Sequence, residues 1–440
     1  MFMGKVYRTP RLLIKLIGYP RAGYTYIVKE VLAARPVVFR DMYPVSTTYA
    51  THGIYYYPAK FIPHVVRYCI ERYSPGPSAR LFDPFAGSGT AGVEAYLQGL
   101  DFVLADINPI IGHLTEVKLL HLDPRKDWRA ELDRCLAAIE NGNGSFAPAW
   151  KGMGYWYEPV VLEDLMNKWG NLKELNSPLK SILSFALLRV SRLFSWDEDK
   201  APKLFRSRRK TEELQEVLRG DWKASLKARL EKTAAEYLMR VVDFNRFASH
   251  LSREPEYRVC GGADVSEREE FPEIRYDLVV TSPPYLQAQE YMRTSKLDLY
   301  WLGYSEREIK RLTAREIPYK KPPDDWRDIY PRIGDIADER GGNQKPLVVS
   351  YFYYLLKALD LTVGNLSPGG HVCVFLGSPK AQGDEISIWM EIHGFFMEKG
   401  LDIVEVSEDR IANRKLFRGR KNLNPGGMDS EFLVVARKGS

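Results

Sequence analysis

The sequence predicts an α/β protein: a doubly wound mixed sheet interrupted by a mostly helical insertion. Three observations carry that expectation. Arg80 to Gln98 reads as strand, glycine turn and helix, and a second strand follows at once, ending in Asp106. The strand–turn–helix rhythm then stops, and residues 112–256 show helical spacing instead. It resumes at Tyr257, and the next strand, Tyr276-Asp277-Leu278-Val279-Val280, is halted by Pro283-Pro284.

The 440 residues suffice for two domains or for one large domain with an insertion. A hydrophobic share of 45% and a charged share of 27% describe an ordinary globular chain. The formal charge of +6 and the pI near 8.8 permit a polyanionic partner without demanding one. Cys69, Cys135, Cys260 and Cys373 form no close pair, which argues against a disulfide framework or a zinc site and fits a cytoplasmic protein. No apolar run near the start is long enough for a signal peptide. The strongest membrane candidate, Leu179 to Trp196, carries Lys180, Arg189 and Arg192 and reads as a buried amphipathic helix, so no membrane partner is expected.

Residues 1–50 are basic and rich in Tyr and Val, and read as short strands or an arm. A helix is expected from Pro63 to Tyr73, with Val65, Val66, Cys69 and Ile70 on one face. In the turn after the first strand, Gly87 and Gly89 let the backbone bend tightly and admit a ligand close to the main chain. The helix start beyond them offers free N–H groups. Asp106, about twenty residues on, stands where such folds hold a ribose. There is neither G-x-G-x-x-G nor G-K-[ST], so dinucleotide and P-loop readings are disfavoured.

Within 112–256, helices are expected over Trp128–Ile139, Val160–Leu175, Pro178–Trp196 and, in two or three pieces, Thr211–His250. Asp264 ends a third short strand, as an acceptor for an amino group or as a solvated turn residue. Beyond the prolines, residues 303–346 read as loop-rich and partly mobile. A long helix (Leu347–Val363), a strand (His371–Leu376), a helix (Ile386–Lys399) and two strands (Asp402–Val406, Glu431–Ala436) complete the chain. The expected organisation is therefore an N-terminal arm (1–50), a catalytic domain (51–111 and 257–440) and a helical insertion (112–256).

The five residues Thr281-Ser282-Pro283-Pro284-Tyr285 hold fixed carbonyl acceptors, a hydroxyl and an aromatic face beyond a strand end, which suits a planar base with an amino group. The competing reading is an edge-strand turn. Together with Asp83-Pro84-Phe85-Ala86-Gly87-Ser88-Gly89-Thr90, and with His52 and Pro58-Ala59-Lys60-Phe61, this stretch resembles the S-adenosylmethionine-dependent DNA methyltransferases that modify exocyclic amino groups, the cytosine-N4 and adenine-N6 family. The resemblance covers about 50–123 and 257–437.

It implies that Asp83, Pro84, Phe85, Gly87, Gly89 and Thr90 line the methionine end of S-adenosylmethionine, beneath His52, Pro58, Ala59, Lys60 and Phe61. It further implies that Asp106, with Asn108, holds the ribose and Asp264 the adenine. Ser282 Oγ and the Pro283 carbonyl would accept the two hydrogens of the target amino group, with Pro284 stiffening the turn and Tyr285 stacking on a flipped base. Serine at 282 points to cytosine N4. The order of the two motifs, cofactor loop first, leaves adenine N6 open. No Pro-Cys dipeptide is present, which disfavours carbon-5 methylation.

Double-stranded DNA is the expected partner, within a restriction–modification system that includes a cognate endonuclease. Two basic runs are candidate phosphate contacts: Lys203, Arg206, Arg208, Arg209 and Lys210, and Arg410, Arg414, Lys415, Arg418, Arg420 and Lys421. The insertion is expected to read the bases, with 303–346 as competitor. Methylation of RNA or of a protein glutamine, and a DNA-binding protein with a decayed site, are the alternatives.

Overall fold

The computed structural model describes residues 34–58, 60–198, 204–286, 291–340, 345–377, 380–381, 384–385, 387–411 and 429–440. Ala59, Lys203, Arg414, Lys415, Arg418, Arg420 and Lys421 lie outside them, as does most of the N-terminal arm.

Eight strands form one sheet: β1 (Arg35–Val37), β2 (Arg80–Asp83), β3 (Asp101–Asp106), β4 (Tyr257–Gly261), β5 (Tyr276–Thr281), β6 (Leu366–Gly377), β9 (Leu401–Arg410) and β10 (Ser430–Lys438). A separate short hairpin joins β7 (Lys380–Ala381) to β8 (Asp384–Glu385). The spatial order is β1-β9-β10-β6-β5-β2-β3-β4. β10 runs antiparallel to both its neighbours and every other pairing is parallel, so the sheet is mixed, as the sequence led us to expect. The order turns back between β2 and β5, where a crevice opens at the carboxyl ends of the strands.

Alternation along each strand divides the sheet between two apolar layers. Leu81, Leu278, Val280, Cys373 and Leu433 face the helices Pro63–Tyr73 and Thr90–Leu97. Phe82, Val279, Val372, Val374 and Val434 face the helices Lys345–Asn365 and Ile388–Glu398. Both faces are covered, which is why these strands read as nearly continuous apolar runs. By length and composition Lys345–Asn365 could cross a membrane, yet 72% of its most apolar stretch is buried within the fold.

The helices of the middle third are Trp128–Asn141, Pro159–Glu174, Lys180–Leu193, Arg208–Arg219 and Trp222–Ala248. They enclose a core of their own, and the helix Tyr291–Leu302 is buried in it. There Trp301 lies flat against Trp169, ring centroids 5.6 Å apart, and donates to the Tyr157 hydroxyl at 2.8 Å. One expectation needs correction. Residues 303–346 hold three helices, Glu306–Thr313, Trp326–Ile329 and Pro331–Arg340, instead of a loop-rich stretch. The first has a capping box in which Ser305 Oγ accepts from Glu308 N and the Glu308 carboxylate accepts from Ser305 N. The spacing Ser305-x-x-Glu308 was the signal for it. The described end of the N-terminal stretch, expected as short strands or an arm, gives one short strand: β1 forms the edge beside β9, and Phe39 is buried against Tyr68 and Phe375.

Candidate active site

β2 and β5 lie side by side, and their ends are joined directly. Thr281 Oγ1 donates to Asp83 Oδ1 at 2.6 Å, and the same oxygen accepts from Phe85 N at 3.1 Å. The two loops expected from the sequence to work together, 83–90 and 281–285, therefore leave the sheet as neighbours. They open into one cleft. Its walls include Pro84, Phe85, Gly87 and Ser88 from the first loop, with Ser282 and Pro284 from the second.

The glycine loop keeps its shape through Asp106. Gly87 N donates to one carboxylate oxygen and Asn108 N to the other, each at 2.7 Å. Gly87 stands at φ +50°, and a Cβ there would come within 3.1 Å of the Tyr57 ring. Gly89, at φ +75°, precedes the helix that starts at Thr90. Beneath the loop the fully buried Lys118 donates to the Ser88 carbonyl at 2.5 Å. The donor set fits a nucleoside. Asp106, at the cleft wall, retains lone pairs for hydroxyl groups, while Phe85, Ile107 and Val265 offer apolar surface to a base.

Burial governs the charges here. It pushes the Asp83 carboxyl up to about 7, against the hydrogen bonds from Thr281 and Phe85 that favour the ionised form. Burial also raises Asp106 to about 6, opposed by the Asn108 and Gly87 N–H groups. Lys60, on the cleft wall, is brought down to about 8 by burial and by the neighbouring Arg240.

Nine of the expected residues line the cleft: Lys60, Phe61, Pro84, Phe85, Gly87, Asp106, Asp264, Ser282 and Pro284. The other described ones are not among its lining residues. Asp83 is buried by the bond to Thr281, and Thr90 shares a hydroxyl contact with Ser88 at 3.1 Å. Gly89, Pro58 and Pro283 are likewise absent from its walls. His52 is buried with Nε2 2.7 Å from Glu94 Oε1, and burial holds its ring well below the usual range. Asn108 donates to Ser295 Oγ at 2.8 Å. Tyr285 turns inward: its ring packs in the core and its hydroxyl donates to Glu431 at 2.8 Å, so it offers no face to the cleft. Asp264 accepts from Ser266 Oγ at 2.6 Å and pairs with Lys320 at 2.8 Å.

Sequence reasoning missed Tyr57 and Tyr291, which stack on each other at the cleft with centroids 5.8 Å apart. It also missed Arg315 and Glu316, which reach the cleft from the helical stretch after 303. Nothing in a local pattern marks these four, because three chain segments far apart in sequence bring them together.

The first basic run is less available than its composition promised. Lys210 is buried and donates to the Leu193 carbonyl at 2.8 Å, which corrects its assignment as a surface cation. Arg209 is bound by Glu198 and Glu213. Arg206 donates to the Tyr155 carbonyl at 3.0 Å and lies over the Tyr155 and Trp196 rings. Arg208 is 92% exposed and pairs with Glu212. Of the second run only Arg410 is described, exposed beside Glu408.

Fold and cleft together define a doubly wound α/β protein with a cleft at the switch point of its sheet. No family model matches the chain. It is similar to the Type II methyltransferase M.MvaI of Kocuria varians, 26% identical over 272 residues that cover 58% of this chain and 58% of that protein. To the Type II methyltransferase M.BsoBI of Geobacillus stearothermophilus it is 23% identical over 294 residues, covering 62% and 57%. To the Type II methyltransferase M.MjaII of Methanocaldococcus jannaschii it is 38% identical over 82 residues, covering 19% and 15%. The chain thus spans less than three fifths of the length of these relatives. The resemblance read from the motifs is matched by similarity to proteins that bear the methyltransferase name. Among solved structures, TrmN from Thermus thermophilus covers 86% of this chain and 49% of its own, at 9% identity and a TM-score of 0.28. An overlap that slight carries no argument.

Proposed function

We propose that this protein is a site-specific DNA methyltransferase that uses S-adenosylmethionine to methylate the exocyclic amino group of a base flipped from duplex DNA. The base is cytosine, methylated at N4, and the enzyme serves a restriction–modification system. The observation that carries the reading is the joining of the two motif loops through Thr281 and Asp83, so that Ser282 and the glycine loop share one cleft. Similarity to named Type II methyltransferases supports the same class.

S-adenosylmethionine supplies a methyl group on a positively charged sulfur. Asp106 and the Gly87 loop would hold its nucleoside and methionine portions, and Lys60 and Phe61 line the same cleft. An aromatic amino nitrogen is a poor nucleophile because its lone pair is delocalised into the ring. Ser282 Oγ and the Pro283 carbonyl accept the two amino hydrogens and favour a pyramidal nitrogen with its lone pair free. Positioning and hydrogen-bond acceptors do this work, and the chain contributes no covalent link to the base. The helices of 112–256 are the target-recognition region, with phosphate contacts from exposed cations such as Arg208 and Arg410.

The test is incubation of the purified protein with plasmid DNA and methyl-labelled S-adenosylmethionine, followed by mass spectrometry of the nucleosides. N4-methylcytosine is the expected product. N6-methyladenine would keep the reaction and change the base, and unlabelled DNA beside labelled RNA or protein would overturn the reading.

A further inference from the structure

The helix Tyr291–Leu302 follows the Ser282 loop in sequence yet is buried among the helices of the middle third. Two of its residues, one turn apart, tie it in opposite directions. Ser295 Oγ accepts from Asn108 Nδ2 at 2.8 Å, and Asn108 is part of the turn that holds Asp106. Asp298, one helical turn on, accepts from Arg192 Nη1 at 3.3 Å and from the Tyr55 hydroxyl at 2.5 Å. Arg192 lies on the helix Lys180–Leu193. It also donates to the Thr294 carbonyl at 3.1 Å and, through Nε, to Asp197 at 2.8 Å.

Arg192, Asp197 and Asp298 are all at least nine-tenths buried. Desolvating three charges is costly, and it is offset here only because one planar guanidinium reaches two carboxylates and a carbonyl at once. An apolar trio would have filled the space more simply. The arrangement instead fixes register between three segments: the Lys180–Leu193 helix, the Tyr291–Leu302 helix and the chain at Tyr55. Both of the latter reach the cleft within a few residues, through Tyr291 and Tyr57, whose rings stack there.

We infer that Arg192 is a positioning residue for the cleft: through Asp298 and Tyr55 it sets the Tyr57–Tyr291 pair, and so couples the helical layer to cofactor binding. The cofactor arm of the inference rests on the methyl-transfer reading; its structural arm does not. The coupling also means that a ligand seated on the helical layer and the nucleoside in the cleft act on one buried unit.

The experiment compares wild type, Arg192→Lys, Tyr55→Phe and Lys168→Met. Lysine cannot reproduce the fork. Tyr55→Phe removes one hydrogen bond and should leave the fold intact. Lys168 is the control, a buried cation of the same layer that pairs with Glu140 at 2.9 Å and Asp164 at 3.5 Å. Amide exchange of the unliganded proteins is read across 291–302, and S-adenosylhomocysteine is titrated by calorimetry.

Faster exchange across 291–302 and roughly five- to tenfold weaker binding are expected for Arg192→Lys and Tyr55→Phe. Lys168→Met should alter neither, although it lowers overall stability. If Arg192→Lys does not fold, Tyr55→Phe alone decides. Wild-type exchange and affinity in Tyr55→Phe, or equal losses in Lys168→Met, would overturn the inference. Wild type that fails to bind S-adenosylhomocysteine would count against the methyl-transfer reading only, because the exchange measurement still judges the positioning role.

Discussion

Thr281 Oγ1 and Asp83 Oδ1 are 2.6 Å apart, across 198 residues of sequence, and hold the ends of β5 and β2 together. The bond is fully buried. Its loss leaves a carboxyl oxygen with only the Phe85 N–H, and an undersatisfied buried acceptor costs about 1–3 kcal/mol. Thr281→Val, which keeps the shape and removes the hydroxyl, should therefore lower the free energy of unfolding by that amount. Denaturant titration measures it, and an unchanged midpoint would mean the bond contributes nothing.

Ser282 is part of the cleft wall, whereas Thr281 beside it is buried. Removing one hydrogen-bonding group that acts mainly in the transition state costs about 10²–10³ in kcat. Ser282→Ala should lose that much rate and keep its affinity for S-adenosylhomocysteine, because in the proposed reading the hydroxyl serves the base and not the donor. Steady-state kinetics beside calorimetry separates the two. A variant at full rate would remove Ser282 from the mechanism.

Glu94 is buried beneath the glycine loop, where it accepts from the Tyr49 hydroxyl and lies 2.7 Å from His52 Nε2. Burial raises its carboxyl from 4.5 to about 8. The folded state therefore keeps a proton that the unfolded chain has released between those values. Stability from this group is fully present below pH 4.5 and falls as the pH rises towards 8. Asp83 and Asp106 act with the same sign over narrower windows. Glu94→Gln, which cannot ionise, should flatten the profile, so that its deficit against wild type shrinks as pH rises. Unfolding measured at intervals from about pH 5 to 8 gives the comparison, and parallel profiles would contradict it.

Lys210 and Arg208 stand two residues apart on one helix with opposite fates. Lys210 is buried on the Leu193 carbonyl, and Arg208 is exposed. Lys210→Ala should destabilise the protein by roughly 1–3 kcal/mol by leaving a buried carbonyl unpaired. Arg208→Ala should change stability by less than about 0.5 kcal/mol. It should instead reduce the slope of log affinity against log salt for DNA by about one. Thermal unfolding and salt-dependent DNA binding test the pair, and a Lys210→Ala variant of normal stability but weakened DNA binding would reverse the assignment.

Much of the scaffold is legible in the residues themselves. Pro63 to Tyr73 forms the expected helix end to end, because Pro63 supplies a preset φ at its start and its apolar residues keep helical spacing. The two glycine positions of the 83–90 loop and the proline stop after β5 are local backbone constraints, and local constraints can be read without knowing the neighbours. The Ser305 capping box was equally readable and passed unnoticed among prolines and charges.

The order of residues, then, carried most strand and helix signals, the strand faces that turn inward, and the two loops that meet at the cleft. Only the tertiary structure decided that Tyr285 points into the core towards Glu431, that Lys210 is inside, and that Tyr57, Tyr291, Arg315 and Glu316 complete the cleft. The reason is range. Dihedral preference and apolar period act over a few residues, whereas the partner of a side chain is chosen by segments that meet only after the sheet has closed its layers.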